Sequence, residues 1–119
     1  MKSKLYAVKM LFQFRVVGVN GQMKKRRLCE KRIRLIRATS AKDALAQAKS
    51  YGKAERHHYK NSDGETVRFE FVGVMELLHL DPECEPDEVW WEMGELLAPS
   101  ERRDRFIPTD KVLLASTAG

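Results

Sequence analysis

The strongest constraint on the fold lies at residues 5–17, LYAVKMLFQFRVV. Tyr6, Val8, Met10, Phe12, Phe14 and Val16 recur at every second position, and between them stand Leu5, Ala7, Lys9, Leu11, Gln13, Arg15 and Val17. Successive side chains of an extended chain point to opposite faces, so this is the period of a strand and not of a helix. A strand with so apolar a face needs neighbours along its edges and a second layer over that face. Most helical architectures are excluded on this stretch alone.

The rest of the chain supplies both. Asn20-Gly21 is a hairpin signal, because both residues tolerate positive φ. Residues 23–37 then read as a second strand, with Cys29, Ile33 and Leu35 on one face and Glu30, Arg32 and Arg34 on the other. In TSAKDALAQAKSYG the period changes: Ala41, Ala44, Leu45, Ala48 and Tyr51 form a helical stripe. Ser40 is its N-cap, Asp43 sits near its positive end, and Gly52 is the expected stop. The stripe is made of small residues, which lets the helix lie close on the apolar face of the strands.

ERHHYKNSDGETVRFEFVGV, residues 55–74, is the next hairpin. Asn61, Ser62, Asp63 and Gly64 suit a turn through side-chain-to-backbone bonds and tolerance of positive φ. Val67, Phe69, Phe71, Gly73, Met75 and Leu77 repeat the alternation, with Gly73 marking a bulge or bend. In EVWWEMGELLAP the alternation of Val89, Trp91 and Met93 favours a fifth strand over a short helix. The expected architecture is α+β: an antiparallel sheet of four to five strands, β-β-α-β-β and then a further β, with one helix packed on one face. Residues 1–98 form a single compact domain, and 99–119 a C-terminal tail that docks in part and is mobile at its end.

The second sheet face is mixed. Leu5, Leu11, Val72, Val74, Leu78 and Leu80 stand beside Lys9, Arg15, Arg32, Arg34, Arg68, Glu70 and Glu76. Such a face calls for partial cover, from the C-terminal segment or a second copy. Tandem tryptophans need burial, so Trp90 and Trp91, with Val72, Val74 and Leu78, make the candidate interface.

Charge bears on partners. The net charge is +5 and unevenly spread: Lys24, Lys25, Arg26, Arg27, Lys31, Arg32, Arg34 and Arg37 crowd one stretch, while Asp81, Glu83, Glu85, Asp87, Glu88, Glu92 and Glu95 crowd another. The basic stretch permits polyanion contact through Lys24, Lys25, Arg26, Arg27, Arg32 and Arg34, with affinity falling steeply in salt. It equally permits the two regions to pair with each other, within a chain or between chains. The aromatic residues a nucleic-acid surface would use for stacking sit on the core face.

Catalytic chemistry is not written in the sequence. His57 and His58 are neighbours on a strand and point apart, and a zinc site wants three or four ligands at workable spacing. His79, Asp81, Glu83 and Cys84 follow no recognised ligand spacing. GxSxG, HExxH and a phosphate-cradling glycine loop are missing from the sequence. No catalytic, cofactor-binding or metal-binding residue is therefore expected. Cys29 and Cys84 suggest free thiols of a reducing compartment. Lys9, Gln13 and Arg15 interrupt the apolar start, and no run approaches the ~20 residues of a membrane span, so a cytoplasmic protein without membrane contact is expected.

LYAVKMLFQF, SAKDALAQAKSYGK and HHYKNSDGETVRFEFVGVMEL, in that order, resemble one family of small bacterial domains of unknown function. Tyr6, Val8, Lys9, Leu11, Phe12 and Phe14 fit its opening. Tyr59, Lys60, Asn61, Gly64, Glu65, Val67, Phe71, Val72 and Gly73 fit its hairpin core, with Phe69 where tryptophan is usual. The resemblance implies a compact domain and carries no activity, catalytic residues or cofactor. The basic second strand and the long tail depart from it. The function expected is a non-catalytic protein-interaction or self-associating module, as a homodimer. The alternative is nucleic-acid binding through the basic second strand.

Overall fold

A computed structural model describes residues 3–23, 25–80, 88–115 and 117, and for residues 88–93 the backbone alone. Five strands form one antiparallel sheet: β1 (Lys4–Val17), β2 (Arg26–Ala38), β3 (His57–Lys60), β4 (Thr66–Leu80) and β5 (Glu88–Leu97). Their order across the sheet is β3-β4-β1-β2-β5. The long apolar strand β1 lies at the centre, where both its edges are paired. Helix α1 (Ala41–Ala54) covers one face, and α2 (Arg103–Phe106) and α3 (Asp110–Ala115) follow β5.

Tyr6, Val8, Met10 and Phe12 of β1 pack with Ala44, Leu45 and Ala48 of α1 and with Phe69, Val74 and Leu77 of β4. Ser40 caps the helix by accepting from the Asp43 backbone N–H at 3.1 Å, and the Asp43 carboxylate accepts from the Thr39 N–H at 3.2 Å. Gly52 does not stop the helix, which runs on to Ala54. Its role is steric: a Cβ there would lie 2.4 Å from Cδ1 of Phe71. Glycine lets α1 settle onto the sheet at that point.

Two irregularities in β4 correct the expected alternation. The register with β1 shifts between Lys9 and Met10 and again between Leu11 and Phe12. Each shift adds a residue to β4 and turns its faces over. Between Phe71 and Leu77 it is therefore Val74 that faces the helix, not Gly73 and Met75, while Val72 and Met75 join the opposite face. On that face Leu11, Cys29 and Val72 pack against Ile107 of the tail. Ile107 sits on Gly73, where a Cβ would come within 2.8 Å of its Cγ2.

β2 is an interior strand, not the edge strand that a run of lysines and arginines suggests. Its outer neighbour is β5, and the register sets Lys31 opposite Glu92 and Arg34 opposite Glu88. The basic stretch thus lies beside the described part of the acidic stretch, residues 88–95, within the chain. Among the described residues no helix is long and apolar enough to cross a membrane.

Candidate functional site

α1 is shorter than the sheet it covers, so the helix-bearing face is left open at the end near the β1–β2 turn. Among the described residues, the exposed Leu28, Tyr59 and Leu97 lie on this face at this end, and the exposed Val19 and Met23 belong to the adjoining turn, where Met23 bridges Val17 of the opposite face. The open strip crosses all five strands. Tyr59 of β3 stands opposite Val67 of β4, Val67 opposite Val16 of β1, and Arg26 and Leu28 of β2 stand opposite Leu97 and Glu95 of β5. Phe14, Val16, Leu28, Tyr59 and Val67 line a groove of about 450 Å³, edged by Arg26 and Asn61. A shallow, mostly apolar groove with a few polar groups at its rim suits a protein side chain or segment.

The basic residues do not form one surface. Arg32 and Arg34 lie on the helix side, because Arg32 stands opposite Met10 and Arg34 opposite Val8. The Arg32 guanidinium lies 4.8 Å from the Phe12 ring centroid and donates to Tyr51 Oη, Glu30 and Glu55. Arg34 stacks 4.1 Å over Tyr51. Arg15 and Arg68 are on the opposite face, level with Gln13 and Glu70. Lys25 and Arg26 are exposed, and Lys24 lies outside the described residues. The expected grouping of Arg15, Arg32, Arg34 and Arg68 on one face fails for a simple reason. The face of a strand residue is set by its partner, and a sequence does not state its partner.

Arg27 has the most elaborate surroundings of the basic set. It is buried on the second face, where its side chain is 3% exposed. Its guanidinium donates to both oxygens of Glu101 at 2.7 Å and to Gln13 Oε1 at 3.1 Å. Gln13, itself 1% exposed, donates to Glu70 at 2.9 Å, and Glu70 receives both hydrogen bonds of Arg15 at 2.7 Å. A polar chain from Arg15 to Glu101 thus crosses β4, β1 and β2 and reaches the tail. Sequence reasoning missed it: Gln13 and Glu101 have no neighbours in sequence that mark them as a pair.

Hydrogen bonds from Arg27 and Ser100 hold the Glu101 carboxyl well below the usual carboxylate range, at about 2. The folded value lies below the unfolded one, so the stability it contributes is present above the ordinary glutamate range and is lost as pH falls towards 2. Glu101 is half exposed, which screens the effect. On acidification from pH 5 to 2 the Ile107 methyl resonances are expected to move before those of Val8 and Leu77. Simultaneous movement would show that Glu101 does not control tail docking.

The remaining candidates are dispersed. Val72 is buried beneath Ile107 and Val74 in the helix-side core, so neither is open to a partner, whereas Leu78 is exposed. The side chains of Trp90 and Trp91 lie outside the described residues, as does Cys84. The His57 ring lies tilted against Phe69 and that of His79 against Tyr6, each at 5.2 Å between centroids. Phe69 and His79 stand opposite Phe14 and Tyr6 of β1, eight residues apart or roughly 26 Å along the strand. Among the described residues no group of three or more His, Cys, Asp or Glu comes together to hold a metal. Burial raises the pKa of the Cys29 thiol, against opposing contributions from the Leu96 backbone, Arg27 and Lys31.

The profile of a family described as a domain of unknown function, DUF4288, matches residues 5–91 of this chain. No curated protein and no solved structure matches it.

Proposed function

Given that the chain belongs to the DUF4288 family, we propose that it is a non-catalytic interaction module that self-associates through the open end of its helix-bearing face. The observation that carries this reading is that the exposed Leu28, Tyr59 and Leu97 share that one strip with the groove lined by Phe14, Val16 and Val67. Isolated surface leucines need no explanation, but a contiguous set over a long sheet does.

A second copy fits the strip by charge as well as by shape. Arg26 and Glu95 stand on one diagonal of the β2–β5 pair, with Leu28 and Leu97 on the other. An isologous pair brings the same patch of both copies together. Two such sheets packed face to face at near right angles set Arg26 of one copy over Glu95 of the other and keep the leucines on apolar surface. Opposite signs within one patch are what a self-complementary surface requires.

Light scattering behind a sizing column, at low and high salt, tests the reading. A dimer that persists in both, with no excess absorbance at 260 nm, is expected. A monomer that carries nucleic acid at low salt and sheds it at high salt would overturn the proposal and make the exposed basic residues the functional surface.

A further inference from the structure

The opposite face carries a second, separate groove, and a segment of the chain already sits in it. Ala98 leaves β5 with a left-handed φ of 45°, an unusual conformation for a residue that is not glycine. Its backbone N–H donates to the Lys25 carbonyl. From there residues 98–107 cross beneath β2, β1 and β4, making three side-chain anchors. Each Glu101 carboxylate oxygen accepts a bond from the buried Arg27 guanidinium. Arg103 Nε donates to the Val72 carbonyl at 2.9 Å. Ile107 fills the notch over Gly73, against Leu11, Cys29 and Val72.

The receiving side is built by the sheet. β3 pairs only with residues 66–69 of β4, so the Val72 carbonyl lies on an edge that β3 does not reach. The register shifts of β4 make the notch at Gly73, and Gln13 and Glu70 orient Arg27 from behind. Leu11, Gln13, Arg27, Cys29, Val72 and Gly73 all fall inside the matched family segment, which ends at residue 91, before the anchoring segment begins.

We infer that this groove is a docking site for a short segment of a partner protein, and that residues 98–107 occupy it as an internal copy of that ligand. The partner segment carries a carboxylate, a guanidinium two residues on, and a branched aliphatic residue four further on, the spacing of Glu101, Arg103 and Ile107. The carboxylate is read by a buried, pre-oriented guanidinium, a geometry suited to bidentate recognition. The tethered copy competes at an effective concentration on the order of millimolar, so an outside segment binds well only when the internal one is weakened.

Glu101→Arg in the 119-residue chain opens the groove without altering its walls, by setting like charges together. Hydrogen exchange is expected to show amides of 98–107 losing protection while β1 and β4 keep theirs. A labelled peptide of residues 98–109, with Glu101 intact, then binds the E101R chain at least about tenfold more tightly than the wild-type chain. The same peptide with Ile107→Ala loses at least about tenfold, the share of a filled apolar notch. Retained protection of 98–107 in the variant would overturn the inference. So would released amides with no peptide bound at about 1 mM, or equal binding of the Ile107→Ala peptide. Self-association through the other face is read separately by scattering, so either idea can fail without the other.

Discussion

Leu28→Asp is expected to convert a dimer into a monomer, with the dissociation constant rising at least ~100-fold, about 3 kcal/mol. The side chain is 43% exposed in the single chain, on the β2 part of the open strip. In the proposed pair it becomes buried against its own equivalent. A carboxylate there must either lose water without a partner or hold the two faces apart, and either is costly. Central, fully desolvated apolar residues dominate interface energetics, so the loss should be large for one substitution. The monomer should tolerate it. Aspartate is a poor strand residue, but on an exposed face the penalty is at most about 1 kcal/mol. Arg26→Glu alone should weaken the dimer more modestly, and the R26E/E95R pair should recover it. Unchanged mass by light scattering for L28D, at concentrations spanning the wild-type dissociation constant, would sink the interface.

The second large effect concerns the helix, and two rules disagree about its sign. Replacing a helix-interior glycine by alanine ordinarily stabilises by about 1 kcal/mol. At Gly52 the new methyl would lie 2.4 Å from Cδ1, 2.6 Å from Cε1 and 2.7 Å from Cγ of Phe71. Cγ lies on the axis about which the ring turns, so rotating the ring does not clear the contact. Forcing a group into a packed interface costs about 1–3 kcal/mol. Overpacking should win, and Gly52→Ala is expected to destabilise by about 1–2 kcal/mol in chemical denaturation. In a Phe71→Ala background the clash is gone and the same substitution should turn neutral or stabilising. A Gly52→Ala chain more stable than wild type would mean that α1 can lift from the sheet at little cost.

Much of this was legible in the residues. Period two over 5–17 and 67–71, period 3.6 over 41–51, and turn chemistry at Asn20-Gly21 and Asn61–Gly64 fix element types through local sterics and one-sided burial. The order of elements along the chain, β-β-α-β-β-β, and the helix on the apolar face follow from those patterns. So does the helix start, because Ser40 and Asp43 act within one turn. The helix stop was misread for a physical reason. Gly52 has the composition of a terminator, yet it answers to Phe71, nineteen residues away in sequence and in contact only after folding.

Pairing is what the tertiary structure decided. Which strand lies beside which, and in what register, depends on contacts summed over the whole sheet. Register alone sends Arg32 and Arg34 to the helix side and Arg15 and Arg68 to the other. Two added residues in β4 exchange the roles of Val74 and Gly73; Gly73 marks the bend in the sequence, but alternation does not give the number of added residues or their places. The charge asymmetry was plain in the sequence, but only the order β1-β2-β5 shows residues 88–95 of the acidic stretch lying beside the basic one. The open strip and the occupied groove arise in the same way. Both depend on where a helix ends above a longer sheet and where a tail crosses beneath it, and those lengths become surfaces only once the chain is assembled.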